Sequence, residues 1–347
     1  GYPYITFVSK ANKVHALKDL GTIKQSNLCC EIMMLQETSI INDYGVEDEI
    51  KRDINCNLGS LNIANVMENK NMQQTIELAM KALTSVSDLS NIANAPGVKK
   101  ANDELHSVGL GAMNLHGYLA KNKISYGSKL SLEFVNTFFM MMNYYTILAS
   151  TEIAKEKGES FLGFEESEYY KGSYFEKYIN NDYAPKSKKV VKLFEGMHIP
   201  TQEDWKQLAN KVKQDGMYNA YRLAIAPTQS IGYVQNATPS IAPIVDTVEI
   251  RTYGNSTTYY PMPYLSQQNY FFYQSAFEMD MYKYIDLVAT AQDHIDQGIS
   301  TILYVDSETS TRELARLYIY AWKKGLKSLY YTRTRLLSAS ECESCSV

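Results

Sequence analysis

An amide, a thiol and a carboxyl group occur at every second position of the segment 26–32, in Asn27, Cys29 and Glu31. Because side chains alternate between the two faces of a strand, an extended segment would place all three on one face. Together they would supply a hydrogen-bond donor, sulfur chemistry and a proton acceptor. The core-facing positions would then be Leu28, Cys30 and Ile32. A half-buried strand with incidental polar residues shows the same alternation, so the spacing alone leaves both interpretations open.

Two further cysteines form a Cys-x-x-Cys pair near the end of the sequence, at Cys342 and Cys345. This spacing suits a reversible disulfide and can lower a thiol pKa towards about 7. A zinc site would need a second ligand pair at a matching spacing, and the sequence shows none. We expect the Ser- and Glu-rich segment 336–347 to be a flexible tail. The pair could then move between a buried site and an external reductant, or consist of two inert thiols.

The adjacent residues Tyr330 and Tyr331 lie near the end of a predicted strand over 326–332. With 28 tyrosines in the chain, adjacent pairs are expected by chance. A regular strand would also send the two rings to opposite faces. A joint role for both rings therefore requires a strand end or an irregular backbone at this point.

The segment 226–232, of sequence APTQSIG, follows a short apolar run and could close around a phosphate group. Small hydroxyl residues and a glycine can present backbone N–H groups and hydroxyls to an anion. The segment lacks the Gly-Lys-Ser/Thr of a Walker loop. An ordinary strand-to-helix turn has a similar composition, so this interpretation also stays open.

Composition and charge exclude several classes of protein. The 347 residues are 45% hydrophobic and 21% charged, which is enough for a large core and unlike a disordered, fibrous or disulfide-dense chain. The net charge of -4 gives no support for nucleic-acid binding. The most apolar stretch, 134–149, is interrupted by Asn and Thr and predicts a buried helix rather than a membrane span. The five histidines show no metal-ligand spacing.

The five cysteines are an odd number, and the sequence shows no export signal. We therefore expect reduced thiols and a cytoplasmic location. The sequence also begins at Gly1 rather than Met, and we expect a fragment or a processed product.

The elements that must position these groups alternate along the chain. Apolar residues at steps of three and four predict a long buried helix that begins near Leu130 and ends at Gly158. A capping box formed by Ser310 and Glu313 predicts the start of another helix. Strands that alternate with helices predict an α/β fold with parallel strands. The other predicted elements are helices over 73–92, 108–121 and 281–297, a strand over 302–305, and extended pieces within 1–35.

Six strings of this sequence, in the same order, are similar to those of the catalytic (large) subunit of class I ribonucleotide reductases, closest to class Ib. The strings are SNLCCEI at 26–32, CNLGSLNIAN at 56–65, VGLGAMNLHGYLA at 108–120, APTQSIGYVQNAT at 226–238, AWKKGLKSLYYTRTR at 321–335 and ECESC at 341–345. They span almost the whole chain, and their joint occurrence makes the resemblance specific.

The resemblance implies reduction of ribonucleoside diphosphates to 2′-deoxyribonucleoside diphosphates by a thiyl-radical mechanism. Cys29 would abstract the ribose 3′ hydrogen, Glu31 would accept the 3′-hydroxyl proton as general base, and Asn27 would hydrogen-bond the substrate hydroxyls. Cys56 resembles one of the two reducing thiols that help the 2′-hydroxyl leave as water and end as a disulfide. Strand alternation favours Cys29 over its neighbour Cys30 as the reactive thiol.

Radical and redox transfer are implied in the same way. Tyr330 and Tyr331 resemble a stacked pair that relays the radical from the small subunit. Cys342 and Cys345 would re-reduce the active-site disulfide by thiol exchange. The implied substrate-binding positions are Asn27, Leu28, Cys29, Cys30, Glu31, Pro227, Thr228, Gln229, Ser230 and Ile231.

The implied fold is α/β: half of a ten-stranded α/β barrel over 1–335, with substantial helical content, followed by a flexible redox-active tail over 336–347. The family subunit is about twice as long, so an N-terminal half that carries the partner of Cys56 and the allosteric nucleotide sites is absent here. The expected partners are that half, a metal-containing small subunit that supplies the radical, a thioredoxin- or glutaredoxin-like reductant and a ribonucleoside diphosphate. We expect no cofactor bound by this chain itself, no nucleic acid and no membrane.

Two other functions remain open at this point. The chain could be a non-catalytic interaction module that binds the small subunit or a dimer partner, although the joint presence of the cysteines, Glu31 and the tyrosine pair argues against it. It could also be a thiol-disulfide protein built around Cys342 and Cys345. That alternative is disfavoured because a pair on a terminal tail lacks the βαβ setting that activates such thiols.

Overall fold

The computed structural model describes residues 3–335, which fold around an open, mostly parallel sheet. The labelled strands are β1 (Ile5–Thr6), β2 (Leu58–Asn62), β3 (Gly109–Met113), β4 (Val248–Tyr253), β5 (Ser256–Pro261), β6 (Leu303–Asp306), β7 (Ser328–Leu329) and β8 (Thr332–Arg335). Parallel ladders join β2 to β3 and β6 to β8, whereas β1 pairs with β7 in the antiparallel sense.

Two short extended segments connect these ladders into one surface. The N–H of Leu110 in β3 donates to the carbonyl of Arg222 at 2.8 Å, and the next contact runs from Ser300 N to Ile225 O at 2.9 Å. Tyr330 N then donates to Thr301 O at 2.8 Å. The order across the sheet is therefore β2, β3, segment 221–226, segment 297–302 continuing into β6, then β7–β8, with β1 at the far edge. The prediction of parallel strands in an α/β fold is confirmed.

The described strands do not close into a barrel. Within residues 3–335, β2 pairs only with β3, so its outer edge is open. Five consecutive parallel strands with one open edge are the arrangement expected of half a barrel.

Helices connect the strands and cover the sheet. They are α1 (Val8–Lys13), α2 (Ile63–Asn69), α3 (Met72–Leu89), α4 (Pro96–Leu105), α5 (Leu115–Lys121), α6 (Lys129–Lys157), α7 (Glu168–Lys171), α8 (Glu176–Ile179), α9 (Lys188–Leu193), α10 (Gln202–Asp215), α11 (Gln229–Val234), α12 (Met281–Gln292) and α13 (Thr311–Lys324). Short 3-10 turns cover Phe164–Glu166, Ser173–Phe175 and Tyr270–Phe272. No described helix has both the length and the apolar character needed to cross a membrane.

The long helix α6 is the centre of the core. Its N-terminus is capped by the Ser128 hydroxyl, which accepts from Ser131 N, and its C-terminus is capped by Gly158 at φ 73°. Both ends follow the usual preferences for a side-chain oxygen cap and a left-handed glycine. The helix is buried on almost every side against α3, α10 and α12. The predicted buried helix ending at Gly158 is confirmed.

Most of the other predicted helices are present. The predictions over 73–92 and 281–297 correspond to α3 and α12, and the capping box of Ser310 and Glu313 opens α13 with both reciprocal hydrogen bonds formed. The predicted strand over 302–305 corresponds to β6.

Four predictions are wrong in detail. The segment 108–121 is not one helix, because it forms the buried strand β3 before α5. The segment 26–32 is a turn rather than a strand, and the extended pieces expected within 1–35 are interrupted by α1. The strand expected over 326–332 is broken between β7 and β8, at the two adjacent tyrosines. The β4–β5 hairpin has no counterpart among the sequence predictions.

Candidate active site

The segment 26–32 folds into a tight loop that Asn27 closes. The Asn27 side-chain oxygen accepts hydrogen bonds from the N–H groups of Glu31, at 3.1 Å, and Ile32, at 3.0 Å. Cys30 adopts a left-handed backbone, with φ 64°, and its N–H donates to Asn27 O at 3.0 Å. The alternation expected of a strand is therefore lost. Cys30 and Ile32 point into the core as predicted, but Leu28 is 70% exposed and Glu31 is only 1% exposed.

The neighbouring strands fix the loop at three consecutive carbonyl groups. The Ser300 hydroxyl donates to Cys29 O at 2.6 Å, the Ser328 hydroxyl donates to Cys30 O at 2.7 Å, and Gly298 N donates to Glu31 O at 2.8 Å. A Cβ at Gly298 would lie 2.8 Å from Cys30 O, so this close approach requires glycine. The loop is thus held rigidly against segment 297–302 and β7.

Cys29 is half-buried and faces the tyrosine pair. Its thiol lies 3.6 Å from the hydroxyl oxygen of Tyr330, within reach of a weak S–H donor. This contact, followed by burial, raises the pKa of Tyr330. Strand alternation predicted Cys29 as the reactive thiol. The structure distinguishes the two cysteines differently: the left-handed backbone at Cys30 places its thiol in the core, whereas the Cys29 thiol faces Tyr330.

Glu31 and Cys56 lie close to Cys29. Burial raises the pKa of the Glu31 carboxyl, and hydrogen bonds from Asn27 and Ser300 partly offset this effect. Burial of the Cys56 sulfur, together with the negative charge of Glu31, raises the pKa of Cys56 to about 11, although the residue as a whole is exposed. The Asn27 side-chain nitrogen lies 3.9 Å from the Cys56 sulfur. The four residues predicted to be catalytic, Asn27, Cys29, Glu31 and Cys56, therefore lie close together.

The Tyr330 and Tyr331 rings are neighbours because the backbone is irregular between β7 and β8. Their centroids are 4.5 Å apart and their planes meet at 68°, so the pair is edge-to-face and the expected stacked geometry is wrong. Tyr330 N and Tyr331 O both pair with segment 301–303. A third ring, that of Tyr4, lies with its centroid 5.2 Å from that of Tyr330 and was not predicted from the sequence.

A cavity of about 410 Å³ adjoins this group of residues. Its lining includes Ser300, Tyr331, Pro227 and Gln229. Two arginines that the sequence analysis did not single out, Arg251 and Arg333, also line it.

Three members of the predicted phosphate-binding segment are not part of this lining: Thr228, Ser230 and Ile231. Thr228 has a left-handed backbone, with φ 53°, and its hydroxyl accepts a hydrogen bond from Ser240 N at 2.6 Å. It therefore shapes the turn ahead of α11. Ser230 and Ile231 are exposed on α11, and their predicted role in substrate binding stays a prediction.

Sequence reasoning missed the two serines that hold the loop, Ser300 and Ser328. The only local signal was a serine within each of two segments that are mostly apolar, 299–305 and 326–330. Cys342 and Cys345 lie outside the described residues. Among residues 3–335, no group of three or more His, Cys, Asp or Glu side chains could hold a metal ion.

Comparison with known proteins supports one family. The family model described as "Ribonucleotide reductase, barrel domain" matches residues 1–332. The chain is 54% identical to the ribonucleoside-diphosphate reductase subunit alpha of Bacillus subtilis (strain 168), over 100% of this chain and 50% of the relative. Identity to the subunit alpha of Mycoplasma pneumoniae is 40%, over 100% of this chain and 50% of the relative. Identity to the subunit alpha of Helicobacter pylori (strain J99) is 30%, over 98% of this chain and 48% of the relative. The chain thus spans about half the length of these curated relatives.

Proposed function

Because this chain belongs to the ribonucleotide reductase barrel-domain family, we propose that it is the thiyl-radical half of a ribonucleoside-diphosphate reductase catalytic subunit. The contact that supports this most directly is the Cys29 thiol, 3.6 Å from the Tyr330 hydroxyl and beside the buried Glu31. A thiol that contacts a tyrosine pair and lies beside a buried carboxyl group is positioned to pass a radical from protein to substrate.

The geometry of the tyrosines and Cys29 supports a short radical relay. An oxidised Tyr331 would take an electron and a proton from Tyr330, and the Tyr330 phenoxyl would take a hydrogen atom from Cys29. Each step restores one O–H bond and leaves the radical one residue further on. The ring separation of 4.5 Å and the sulfur–oxygen distance of 3.6 Å keep both steps within contact range. We propose that a metal-containing small subunit supplies the initial radical and that this chain binds no cofactor.

The next step would use the thiyl radical and the Glu31 carboxylate together. The Cys29 radical would abstract the ribose 3′ hydrogen while Glu31 accepts the 3′-hydroxyl proton. A general base works best when its pKa approaches the working pH, and burial moves the pKa of Glu31 upwards. Because the Asn27 oxygen is occupied by two backbone N–H groups, any hydrogen bond from Asn27 to the substrate hydroxyls would come from its side-chain nitrogen, which also lies 3.9 Å from the Cys56 sulfur.

Reduction at the 2′ carbon would use Cys56 and a second thiol from the half of the relatives that this chain does not span. With a pKa of about 11, Cys56 stays protonated at neutral pH and can donate its hydrogen as the 2′-hydroxyl leaves as water. The two thiols supply two electrons and end as a disulfide, and Cys29 returns its hydrogen to the 3′ carbon. Cys342 and Cys345 would then reduce the disulfide by exchange, with a thioredoxin- or glutaredoxin-like protein as the final dithiol donor.

The cavity beside Ser300 is the proposed place for the substrate diphosphate. Pro227 and Gln229 line it together with the guanidinium groups of Arg251 and Arg333, of which Arg251 lies 3.6 Å from the Glu249 carboxylate. Arginine is well suited to phosphate oxygens because it presents several N–H donors in one plane. The allosteric nucleotide sites would lie on the other half of the subunit, and the assembled enzyme would work in the cytoplasm.

Reconstitution tests this proposal. The chain is assayed for reduction of cytidine and adenosine diphosphate with a radical-loaded small subunit and dithiothreitol, first alone and then with the N-terminal half of the subunit. We expect deoxyribonucleotide only when both halves are present. Turnover by this chain alone would show that the second half is not needed. A folded mixture without turnover would favour a non-catalytic interaction module.

A further inference from the structure

The Ser300 hydroxyl lies between the backbone of the radical cysteine and the carboxylate of the proposed base. It is 2.6 Å from Cys29 O and 3.0 Å from the Glu31 Oε2 atom. The residue is only 3% exposed and reaches the loop from the segment that precedes β6. A single buried hydroxyl therefore contacts both the backbone of the thiol residue and the side chain of the base.

A serine hydroxyl has one hydrogen to donate, so these two acceptors compete for it. An ionised carboxylate is the stronger acceptor, because charge-assisted hydrogen bonds are stronger than neutral ones. Once the carboxyl group is protonated, that advantage is lost and the Cys29 carbonyl becomes the better acceptor. The direction of the Ser300 hydroxyl therefore depends on the protonation state of Glu31.

We propose that Ser300 is a positioning residue for the reaction, whose hydroxyl turns from Glu31 to the Cys29 carbonyl when Glu31 takes the substrate proton. This inference rests on the proposed function. Before the reaction, Ser300 and Asn27 hydrogen-bond the ionised carboxylate, which then accepts the 3′-hydroxyl proton. Afterwards, that proton is on Glu31, Ser300 keeps its own, and the released hydroxyl hydrogen bonds the Cys29 backbone while the radical is on the substrate. The cysteine is thereby held for the return of its hydrogen atom.

The surroundings of Glu31 make this hydrogen bond significant. The titratable groups around it are the thiols of Cys29 and Cys30 on its own loop, the Cys56 thiol from the segment before β2, and Tyr330 from the β7–β8 junction through Cys29. On segment 297–302 and β7 the loop meets Gly298, Ser300 and Ser328, which are uncharged. The cationic group of Lys327, which precedes β7, is occupied by the carbonyls of 295–297. Glu31 therefore depends on uncharged donors for stabilisation of its ionised form.

The test compares Ser300→Ala with Thr301→Val in the reconstituted two-half enzyme. Thr301 is the matched control, because it is equally buried on the same segment but its hydroxyl donates to Ile299 O rather than to the loop. For Ser300→Ala we expect a roughly tenfold loss of kcat at neutral pH, little change in KM for cytidine diphosphate, and an acid limb of the pH profile moved to higher pH. Ser300→Thr, which keeps the hydroxyl, should restore the wild-type acid limb.

The proposal would be overturned if the pH profile of Ser300→Ala were the same as that of the wild-type enzyme. It would also be overturned if Thr301→Val moved the acid limb by as much as Ser300→Ala does. A second readout does not need turnover: the Glu31 carboxyl is titrated by ¹³C NMR in this chain, with Glu31→Gln to assign the signal. Loss of the hydroxyl donor should raise the Glu31 pKa, and an unchanged titration would again overturn the role of Ser300. If the wild-type mixture has no turnover while this titration changes as expected, the proposed function fails and the Ser300–Glu31 coupling stands.

Discussion

The backbone gives the two adjacent cysteines, Cys29 and Cys30, different surroundings. At Cys30 the left-handed conformation, with φ 64°, turns the side chain inwards until it is only 3% exposed, and burial raises its pKa to about 11. The Cys29 thiol instead faces the Tyr330 hydroxyl. Local geometry thus separates a buried thiol from one that faces a tyrosine, without any difference in residue type.

This separation predicts opposite outcomes for two matched substitutions. In the reconstituted enzyme, Cys29→Ser should abolish deoxyribonucleotide formation, because an O–H bond does not give up its hydrogen atom to a tyrosyl radical as readily as S–H. Cys30→Ser should retain most of the activity and lower the thermal stability, because it buries a hydroxyl in place of a thiol. Product formation and thermal unfolding of both variants are the measurements. An active Cys29→Ser enzyme would contradict the assignment.

A second prediction concerns the electrostatic coupling between Glu31 and Cys56. Because the negative charge of Glu31 raises the pKa of Cys56, Glu31→Gln should lower that pKa and increase its thiolate fraction at any fixed pH. Alkylation of Cys56 by iodoacetamide should therefore be faster in the variant between pH 8 and 10, as followed by peptide mass spectrometry. A glutamine side chain keeps the shape of glutamate, so packing is matched. An unchanged rate would mean that the two groups do not interact.

At the scale of elements, helices with clear end signals were predictable from sequence, and contacts made across the fold were not. Ser128, Gly158, Ser310 and Glu313 act within a few residues of the chain, so their effect can be deduced locally. Strand β3 was not predictable in this way, because its small apolar residues carry no alternation and continue directly into a helix. A Cβ at Gly111 would lie 2.5 Å from Ala224 O, a constraint that only the neighbouring segment reveals.

Prediction of the candidate active site from sequence has the same limit. The residue types and their order pointed to Asn27, Cys29 and Glu31, but the reason given, a shared strand face, was wrong. The loop is set by the side-chain oxygen of Asn27 and by Ser300 and Ser328, which lie 271 and 298 positions beyond the residues they bind. The spacing of residues within the seven-residue segment 26–32 cannot reveal contacts with residues so distant in sequence.

Segment 221–226 is held in the sheet by a buried ion pair that predicts a large effect on stability. The guanidinium group of Arg222 is fully buried, lies 3.2 Å from Asp296 and donates to the Thr146 hydroxyl of α6 at 2.9 Å. Arg222→Met should lower the free energy of unfolding by about 3–5 kcal/mol, because it leaves a buried carboxylate without its cation.

Urea unfolding of the chain, followed by circular dichroism, measures this loss. The control is Lys206→Met on α10, whose pair with Glu203 is exposed and 3.9 Å long. That substitution should change the free energy of unfolding by less than about 1 kcal/mol. Equal effects of the two substitutions would show that Arg222 does not anchor the segment.

At the scale of the whole molecule, the open edge of β2 is where a second half would join the sheet. In a parallel pair, the N–H and C=O of one residue point to the same neighbour and those of the next residue point away. Gly109 N donates to Asn57 O, so the groups of Asn57, Gly59 and Leu61 face β3. The backbone N–H and C=O groups of Leu58 and Ser60 then face outwards, where they could pair with an added strand. An unpaired edge of this kind is a template for strand addition.

Ser60→Pro should therefore block joining of the two halves without removing a hydrogen bond to β3, since proline lacks the outward-facing N–H. Ser60→Thr keeps that N–H and adds a β-branched side chain suited to a strand, so it should join normally. We expect the proline variant to bind the N-terminal half at least tenfold more weakly by sedimentation or titration calorimetry, with unchanged circular dichroism of the chain alone. Equal binding by the two variants would place the junction elsewhere. If the proline variant instead loses its own fold, the edge groups of Ser60 already have partners within this chain, and the half-barrel arrangement would need revision.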